Sequence, residues 1–264
     1  MAKDTLRRKA YQHIHSQLAS GRLKVGSVVS EMALAKEIGI SRTPVREAIR
    51  QLQTEGFIEQ IPRFGTIVRK PARREIVETF QLREALESYA AALAAEHMPS
   101  SDLTLLRKLC EQLGVVAAEL KASGNRSLDT EMLRSFLAAD MAFHALLIRA
   151  AGNERIMKII NDLHILIRVF GAERHDHRLA IVEEACEDHQ HVFEAIEQGD
   201  ADAARRQMAR HIRRSMKHTL DHYDQMQAEV EGARAPLPLP DHVLAELERI
   251  EDDLSAEAEE NGAG

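Results

Sequence analysis

The chain has 264 residues, is 44% hydrophobic and 29% charged, and carries a formal net charge of −7. That length allows one or two domains, and the apolar content can bury a core, which excludes wholesale disorder. Two cysteines, Cys110 and Cys186, are too few for a disulfide framework. They fit a reducing, cytoplasmic setting. No run approaches the roughly 20 apolar residues that span a bilayer, and the charged start, 1–10, has no apolar segment behind it. No membrane partner is therefore expected.

Taken alone, −7 points away from nucleic acid. The charge is segregated, however. Residues 1–74 hold 15 Lys and Arg against 6 Asp and Glu, whereas 75–230 hold 18 against 26 and 231–264 hold 2 against 10. A basic block of +9 is hidden by two acidic blocks of −8 each. Sign asymmetry of this kind is a partner signal.

In chain order, the basic block reads as three helices and a hairpin. The first helix runs from about Thr5 to Ala19, with Leu6, Tyr11, Ile14 and Leu18 on one stripe, and Gly21 ends it. Ser30 is an N-cap for a short second helix carrying Met32, Leu34, Ala35 and Ile38, and Gly39 supplies a tight turn. Thr43-Pro44 reads as an N-cap followed by proline at the first helical position. The third helix turns Val45, Ile49 and Leu52 inward and stops near Gly56. Two short β-like runs, 57–60 and 66–68, flank a tip at Pro62-Arg63-Phe64-Gly65.

Beyond Arg74 the period is helical throughout. Six helices are expected near 74–97, 101–122, 128–151, 154–173, 178–198 and 200–229, separated by Pro99-Ser100, Gly124-Asn125, Gly152-Asn153 and Gly199-Asp200. Their short connections imply an antiparallel bundle. Ala235–Pro240 alternates proline as a semi-rigid linker. After it, Val243, Leu244, Leu247, Ile250 and Leu254 could line a short helix. The fold class is thus mostly α. The expected domains are a winged helix-turn-helix over 1–70, an all-helical bundle over 71–230, and a Pro-rich acidic tail over 231–264.

In a winged helix, the second helix of the helix-turn-helix enters the major groove with its N-terminal residues at base edges. Here that end carries Ser41, Arg42, Thr43 and Arg46. Arg42 and Arg46 are one turn apart, and arginine is the usual bidentate reader of guanine. The hydroxyls of Ser41 and Thr43 suit phosphates. Arg50 continues the face toward the DNA backbone, and Arg63, beside Gly65 at the hairpin tip, can reach a minor groove or phosphate. Singly, each arginine is better read as a solvated surface residue; the set, on a +9 block in this order of elements, is not.

The runs Leu18-Ala-Ser-Gly-Arg-Leu-Lys-Val-Gly26, Leu34-Ala-Lys-Glu-Ile-Gly-Ile-Ser-Arg-Thr-Pro-Val-Arg-Glu-Ala48 and Glu55-Gly-Phe57 resemble the GntR family of bacterial transcription regulators, without a gap over 5–70. The resemblance implies that Arg42, Thr43 and Arg46 read bases and that the wing at Gly65 reaches the minor groove. One departure stands out. Some relatives carry an arginine directly after the glutamate that opens helix two, and here that position is Met32.

The helical region carries ten of the thirteen histidines. His175, His177, His218 and His222 lie in polar context and read as surface. Asp140 and His144 are spaced i,i+4 on a face with Phe136 and Leu147. His189 precedes Val192, Phe193 and Ile196, and His211 falls between Met208 and Ile212. His189 and His211 stand about ten residues on either side of Gly199-Asp200, so they can face each other in an antiparallel pair. One carboxylate and three imidazoles aimed into a bundle suit a divalent transition metal. Spacing alone leaves four separately satisfied polar residues as an equal alternative.

Behind the GntR-like head, Arg83-Glu-Ala-Leu-Glu87, Asp140-Met-Ala-Phe-His144 with Ala151-Gly-Asn153, His189 through Ile196 with Gly199-Asp200, and Met208-Ala-Arg-His211 are similar, in order, to the effector domain of the FadR branch, the FCD domain. That resemblance implies that Asp140, His144, His189 and His211 ligate zinc, nickel or a similar divalent ion. His191 falls outside the pattern. The resemblance also implies that Arg83 lines an effector pocket as a carboxylate clamp; a surface arginine is the alternative.

The function expected is a ligand-responsive transcription regulator, read as a repressor and not an enzyme. A homodimer would bind a pseudo-palindromic DNA operator, and a small carboxylate such as a sugar acid would complete the metal's open positions. Effector binding would act on the heads through the linker at 70–74, with a coupling of about 1–3 kcal/mol. Two alternatives remain: a sensor of the metal itself, and a metalloenzyme fused to a DNA-binding head. For the latter no general base stands at motif spacing, since Glu183, Glu184 and Glu187 read as a solvated acidic run.

Overall fold

The structure, a computed structural model, describes residues 2–19, 22–62, 64–169 and 177–233. Gly21, Arg63, His175, the last residues of the helix expected to reach 173, and the tail from 234 onward lie outside the described residues. Among the described residues there are nine α-helices and one two-stranded sheet. Met1–Tyr223 forms one compact unit by itself.

The head forms α1 (Ala2–Ala19), α2 (Glu31–Ile38), α3 (Arg42–Thr54), β1 (Ile58–Ile61) and β2 (Gly65–Val68). Among the described residues its apolar cluster runs from Ala10 to Val68, with Ile14, Leu18, Val45 and Leu52 fully buried. Leu6, expected on the buried stripe, is instead exposed, because α1 extends beyond the core it covers. Ser30 caps α2 as expected, its Oγ accepting from Ala33 N at 3.2 Å. Gly39 follows in the left-handed region, φ 74°, where a side chain would be strained. The N-cap of α3 is Ser41, not Thr43, so Thr43 and Pro44 fall within the first turn. Proline is tolerated there because those N–H groups have no intrahelical acceptor.

β1 and β2 pair antiparallel, with Ile58 opposite Val68 and Ile61 opposite Gly65. Phe57, expected to open the first strand, is buried just before it. The other edge of β2 is covered by the segment before α2, through Val29 N to Thr66 O at 2.7 Å and Val68 N to Ser27 O at 3.0 Å. That pairing was not expected, since four residues with a glycine and a serine carry no strand pattern.

The bundle forms α4 (Arg73–His97), α5 (Ser100–Ser123), α6 (Thr130–Ala150), α7 (Glu154–Val169), α8 (Leu179–Glu197) and α9 (Ala201–Ala233). Helix starts follow the side chains available. Asp129 Oδ1 accepts from Glu131 N and Met132 N, and Asn153 Oδ1 from Arg155 N and Ile156 N. α4 packs on α6, α7 and α8, and α5 on α6 and α8. The largest cluster of buried residues joins Phe80, Leu106, Phe143, Phe193 and Met208. This cluster lies beside the polar residues of interest: the Phe143 ring meets those of His144 and His189 edge-on, at 5.8 and 4.6 Å between centroids.

Candidate functional site

Two groups of functional side chains take shape, one exposed and one buried. On the head, Ser41, Arg42, Thr43, Arg46 and Arg50 are all exposed along the start of α3. Gly65 opens β2 at φ 98°, a conformation the wing turn requires. Met32 is 70% exposed. Sequence reasoning missed one partner. Glu31, the first residue of α2, accepts from Arg46 Nε at 3.0 Å and Nη2 at 2.9 Å, and from Arg42 Nη2 at 3.2 Å. The hydrogen bond from Arg46, followed in effect by that from Arg42, outweighs partial burial and holds the Glu31 carboxyl below its usual range.

In the bundle, α6, α8 and α9 bring Asp140, His144, His189 and His211 together. Each offers one ligand atom, and these atoms lie within 4.8 Å of one another. Asp140 Oδ1 is 3.2 Å from His189 Nε2 and 3.9 Å from His144 Nε2. The three imidazoles are buried, and the Asp140 side chain is 28% exposed at the rim. Burial raises the Asp140 pKa, but the hydrogen bond with His189 and the three imidazoles outweigh it, so its carboxyl lies well below the usual range. His211 is pushed down to about 4, first by burial and then by His189. It is therefore neutral near pH 7, as a metal ligand must be.

Each imidazole has an acceptor atom on the side of its other nitrogen, at differing distances. His189 Nδ1 is 2.6 Å from Ala185 O, and a carbonyl can only accept, so Nδ1 carries a proton and Nε2 is the atom turned to Asp140. His144 Nδ1 is 2.5 Å from Glu87 Oε2, with both groups almost fully buried. His211 Nδ1 is 3.8 Å from Asp188 Oδ2. The two short contacts, at His189 and His144, orient their rings as the outer partners of histidine ligands do in metal sites, while Asp188 lies beyond hydrogen-bond reach of His211. Donors bonded to one ion at about 2.0–2.2 Å lie roughly 3–4 Å apart, so the four would have to draw together to share one ion. The donor set of neutral imidazoles and a carboxylate fits a divalent transition ion.

Arg83 is neither a surface residue nor isolated. It is buried, and its Nε donates to Glu87 Oε1 at 2.6 Å. An unbroken line thus runs Arg83, Glu87, His144. Glu87 and Asp188 were both missed. The signals for Glu87 are its place at the end of the Arg83–Glu87 run and its i,i+4 spacing from Arg83, and for Asp188 its place beside His189. Asp188 also accepts from Arg210 at 2.7 Å and Arg214 at 2.9 Å.

His177 corrects another expectation. It is buried, its ring edge-on to Phe136 at 6.1 Å between centroids, because the chain returns onto α6 just before α8 begins. His218 is half-buried, 2.5 Å from Glu184. Glu184 also pairs with Arg214, so only Glu183 and Glu187 of that run are exposed.

Two family matches cover the chain in the same order as these groups. Residues 6–68 match the bacterial regulatory proteins of the gntR family, and residues 78–214 match the FCD domain. The chain belongs to the GntR family of transcriptional regulators. One relative, the "Probable D-xylose utilization operon transcriptional repressor" of Paenarthrobacter nicotinovorans, is 32% identical over 80% of this chain and 88% of its own length. The gluconate operon transcriptional repressor of Bacillus subtilis is 29% identical over 62% of each chain. McbR/YncC of Escherichia coli shares the fold, with a TM-score of 0.67 at 22% identity over 83% of this chain and 98% of that one. The curated relatives, McbR among them, are transcriptional regulators, and the metalloenzyme alternative finds no counterpart among them. Among the described residues, no helix is long and apolar enough to cross a membrane.

Proposed function

We propose that this GntR regulator is a cytoplasmic repressor that binds a pseudo-palindromic operator as a homodimer and releases it when a small carboxylate binds at a divalent metal in the bundle. Residues 1–70 would form the DNA-binding domain and 71–230 the effector and dimerisation domain. Arg42 and Arg46 would read guanine edges beside Thr43, with Ser41, Arg50, Arg63 and Gly65 on phosphate or minor groove. Asp140, His144, His189 and His211 would hold the metal, zinc or nickel. Bound there, the ion would supply a Lewis-acidic anchor for an effector carboxylate. Arg83 has its Nε committed to Glu87 and would offer an effector its Nη groups. The class of effector, a sugar acid or similar organic acid, is supported by the names of the D-xylose and gluconate operon repressors.

The observation that carries the metal assignment is the set of outer partners. Glu87 and Ala185 O stand at the Nδ1 of His144 and His189, whose Nε2 atoms turn to Asp140, and Asp188 lies 3.8 Å from the Nδ1 of His211, which also joins the cluster. Four separately satisfied polar residues would not need their second nitrogens turned to one centre.

Elemental analysis of natively purified protein is expected to find about one divalent ion per chain. A site that stays empty on purification and takes up no added zinc or nickel would remove the metal assignment. A thermal-shift screen of organic and sugar acids on metal-loaded protein is then expected to give a hit that also releases operator DNA. Operator binding that follows metal alone and ignores every acid would favour a metal sensor instead.

A further inference from the structure

The reading helix has a partner outside itself. Ser30 starts α2, and this puts Glu31 at its first position, where the helix dipole favours a carboxylate. Both Glu31 oxygens face α3. Arg46 Nε approaches Oε1 at 3.0 Å and Oε2 at 3.2 Å, Arg46 Nη2 approaches Oε2 at 2.9 Å, and Arg42 Nη2 approaches Oε2 at 3.2 Å. A carboxylate has about four acceptor positions, and three nitrogens of the two arginines engage it, mostly at Oε2. The guanidinium of Arg46 is gripped by its side-on edge, Nε with Nη2. Its adjoining edge, the end-on fork of Nη1 with the second N–H of Nη2, has the spacing that guanine O6 and N7 accept.

We infer that Glu31 is a specificity-determining residue: it orders Arg46 and Arg42 for base edges and withholds them from the phosphate backbone. The inference rests on the reading that these arginines meet DNA. Two effects follow from the same carboxylate. An arginine ordered before binding loses less side-chain freedom on meeting a base. A negative charge held between two arginines also weakens their pull on phosphate, which dominates binding to any sequence. Both effects widen the ratio between specific and non-specific affinity. Nothing in α2 itself requires an acidic residue here beyond its favourable place at the helix start.

The test uses the full-length chain and two DNA probes: a duplex that the wild-type chain selects from a randomised pool, and a scrambled duplex of equal length. In Glu31→Gln, affinity for the selected duplex is expected to fall about tenfold. Affinity for the scrambled duplex is expected to rise, with a salt slope steeper by about 0.9 for each phosphate newly contacted. Glu31→Asp keeps the charge but draws it back, so it should lose selected affinity without gaining scrambled affinity. Selected affinity unchanged in Glu31→Gln would overturn the inference. So would a parallel loss on both probes with a lowered melting temperature, which marks a structural role, or a parallel gain on both, which marks charge alone. Arg46→Ala is the control. If it leaves the selected-to-scrambled ratio intact, the DNA reading itself falls; if it collapses the ratio while Glu31→Gln does not, the role of Glu31 falls alone.

Discussion

The head and the bundle hold their functional side chains in opposite ways. In the head, Arg42, Arg46 and Arg50 stand on the solvent side of α3, while Val45, Ile49 and Leu52 of the same helix make the core. Function and stability use different faces. In the bundle, His144, His189 and His211 lie among Phe143, Phe193 and Met208, so the same interior serves both. An exposed charge can change with little effect on folding, whereas a buried polar group is tied to its partner, because losing that partner leaves it desolvated and unpaired.

The largest expected effect is at Glu87. Glu87→Ala removes the carboxylate that faces both Arg83 and His144, all three nearly inaccessible to solvent. Breaking a buried charged pair in this way costs about 3–5 kcal/mol. Denaturant unfolding is expected to show that loss in the bundle, and a loss below about 1 kcal/mol would mean that water reaches Arg83 readily. Glu87→Gln keeps the shape and one acceptor and should fold better, while weakening metal binding about 10–100-fold, the usual effect of changing an outer partner.

Acid comes next. His211 is held near 4 in the folded chain against 6.5 in the unfolded one, so below 6.5 the unfolded state takes up protons first. Its contribution is complete above 6.5 and is lost as pH falls toward 4, by an amount on the order of 3 kcal/mol. The depressed Asp140 carboxyl adds a loss in the same direction at lower pH, below its ordinary value. Metal-free protein should therefore melt at steadily lower temperature between pH 6.5 and 4. Excess zinc should oppose this near neutrality, by about 2.7 kcal/mol at a hundred times the dissociation constant. A flat profile over that range would show that the bundle interior tolerates a charged imidazole, and the contrast with the head would weaken.

Arg46→Ala tests the other side of the comparison. Its expected cost is about 1–3 kcal/mol in binding to a selected duplex, with relaxed preference at one base. Folding stability should move by less than about 0.5 kcal/mol, as for ordinary surface changes. A large fall in melting temperature would mean that the pair with Glu31 supports the head as well as aiming the reading helix.

The same contrast explains what could be read from the sequence. The head was legible because its signals are contiguous: Ser30 as a cap, Gly39 as a turn, and Arg42 and Arg46 one turn apart. Helical spacing defines a face but not how far a core reaches, and Leu6 was misjudged for that reason. Nor does proline mark one helical position, so Thr43-Pro44 points to a start of α3 two residues later than its N-cap at Ser41. The pairing of Glu31 with Arg42 and Arg46 crosses a turn over 11 and 15 residues, where no periodic rule applies. In the bundle, Asp140 with His144 follows from helical spacing, and His189 with His211 from their symmetry about Gly199-Asp200. The contact between Glu87 and His144 joins residues on α4 and α6, and only packing creates it. His177 sits in a polar stretch, and its burial against Phe136 is a tertiary fact that local composition conceals.

The smallest expected effect falls where the two faces of the head meet. Ser30→Ala removes the Oγ that accepts from Ala33 N at 3.2 Å and leaves that donor to water. A lost N-cap of this kind costs about 1 kcal/mol. The eight residues of α2 gain little from propensity alone and depend on Leu34 and Ala35 reaching the core, so the loss should appear in the head's unfolding. Well below the melting temperature, affinity for a selected duplex should stay unchanged, because the variant keeps Glu31 and both arginines. If specificity instead falls along with stability, the cap is also setting where Glu31 stands. Folding and reading in the head would then share an element after all, at the first turn of α2.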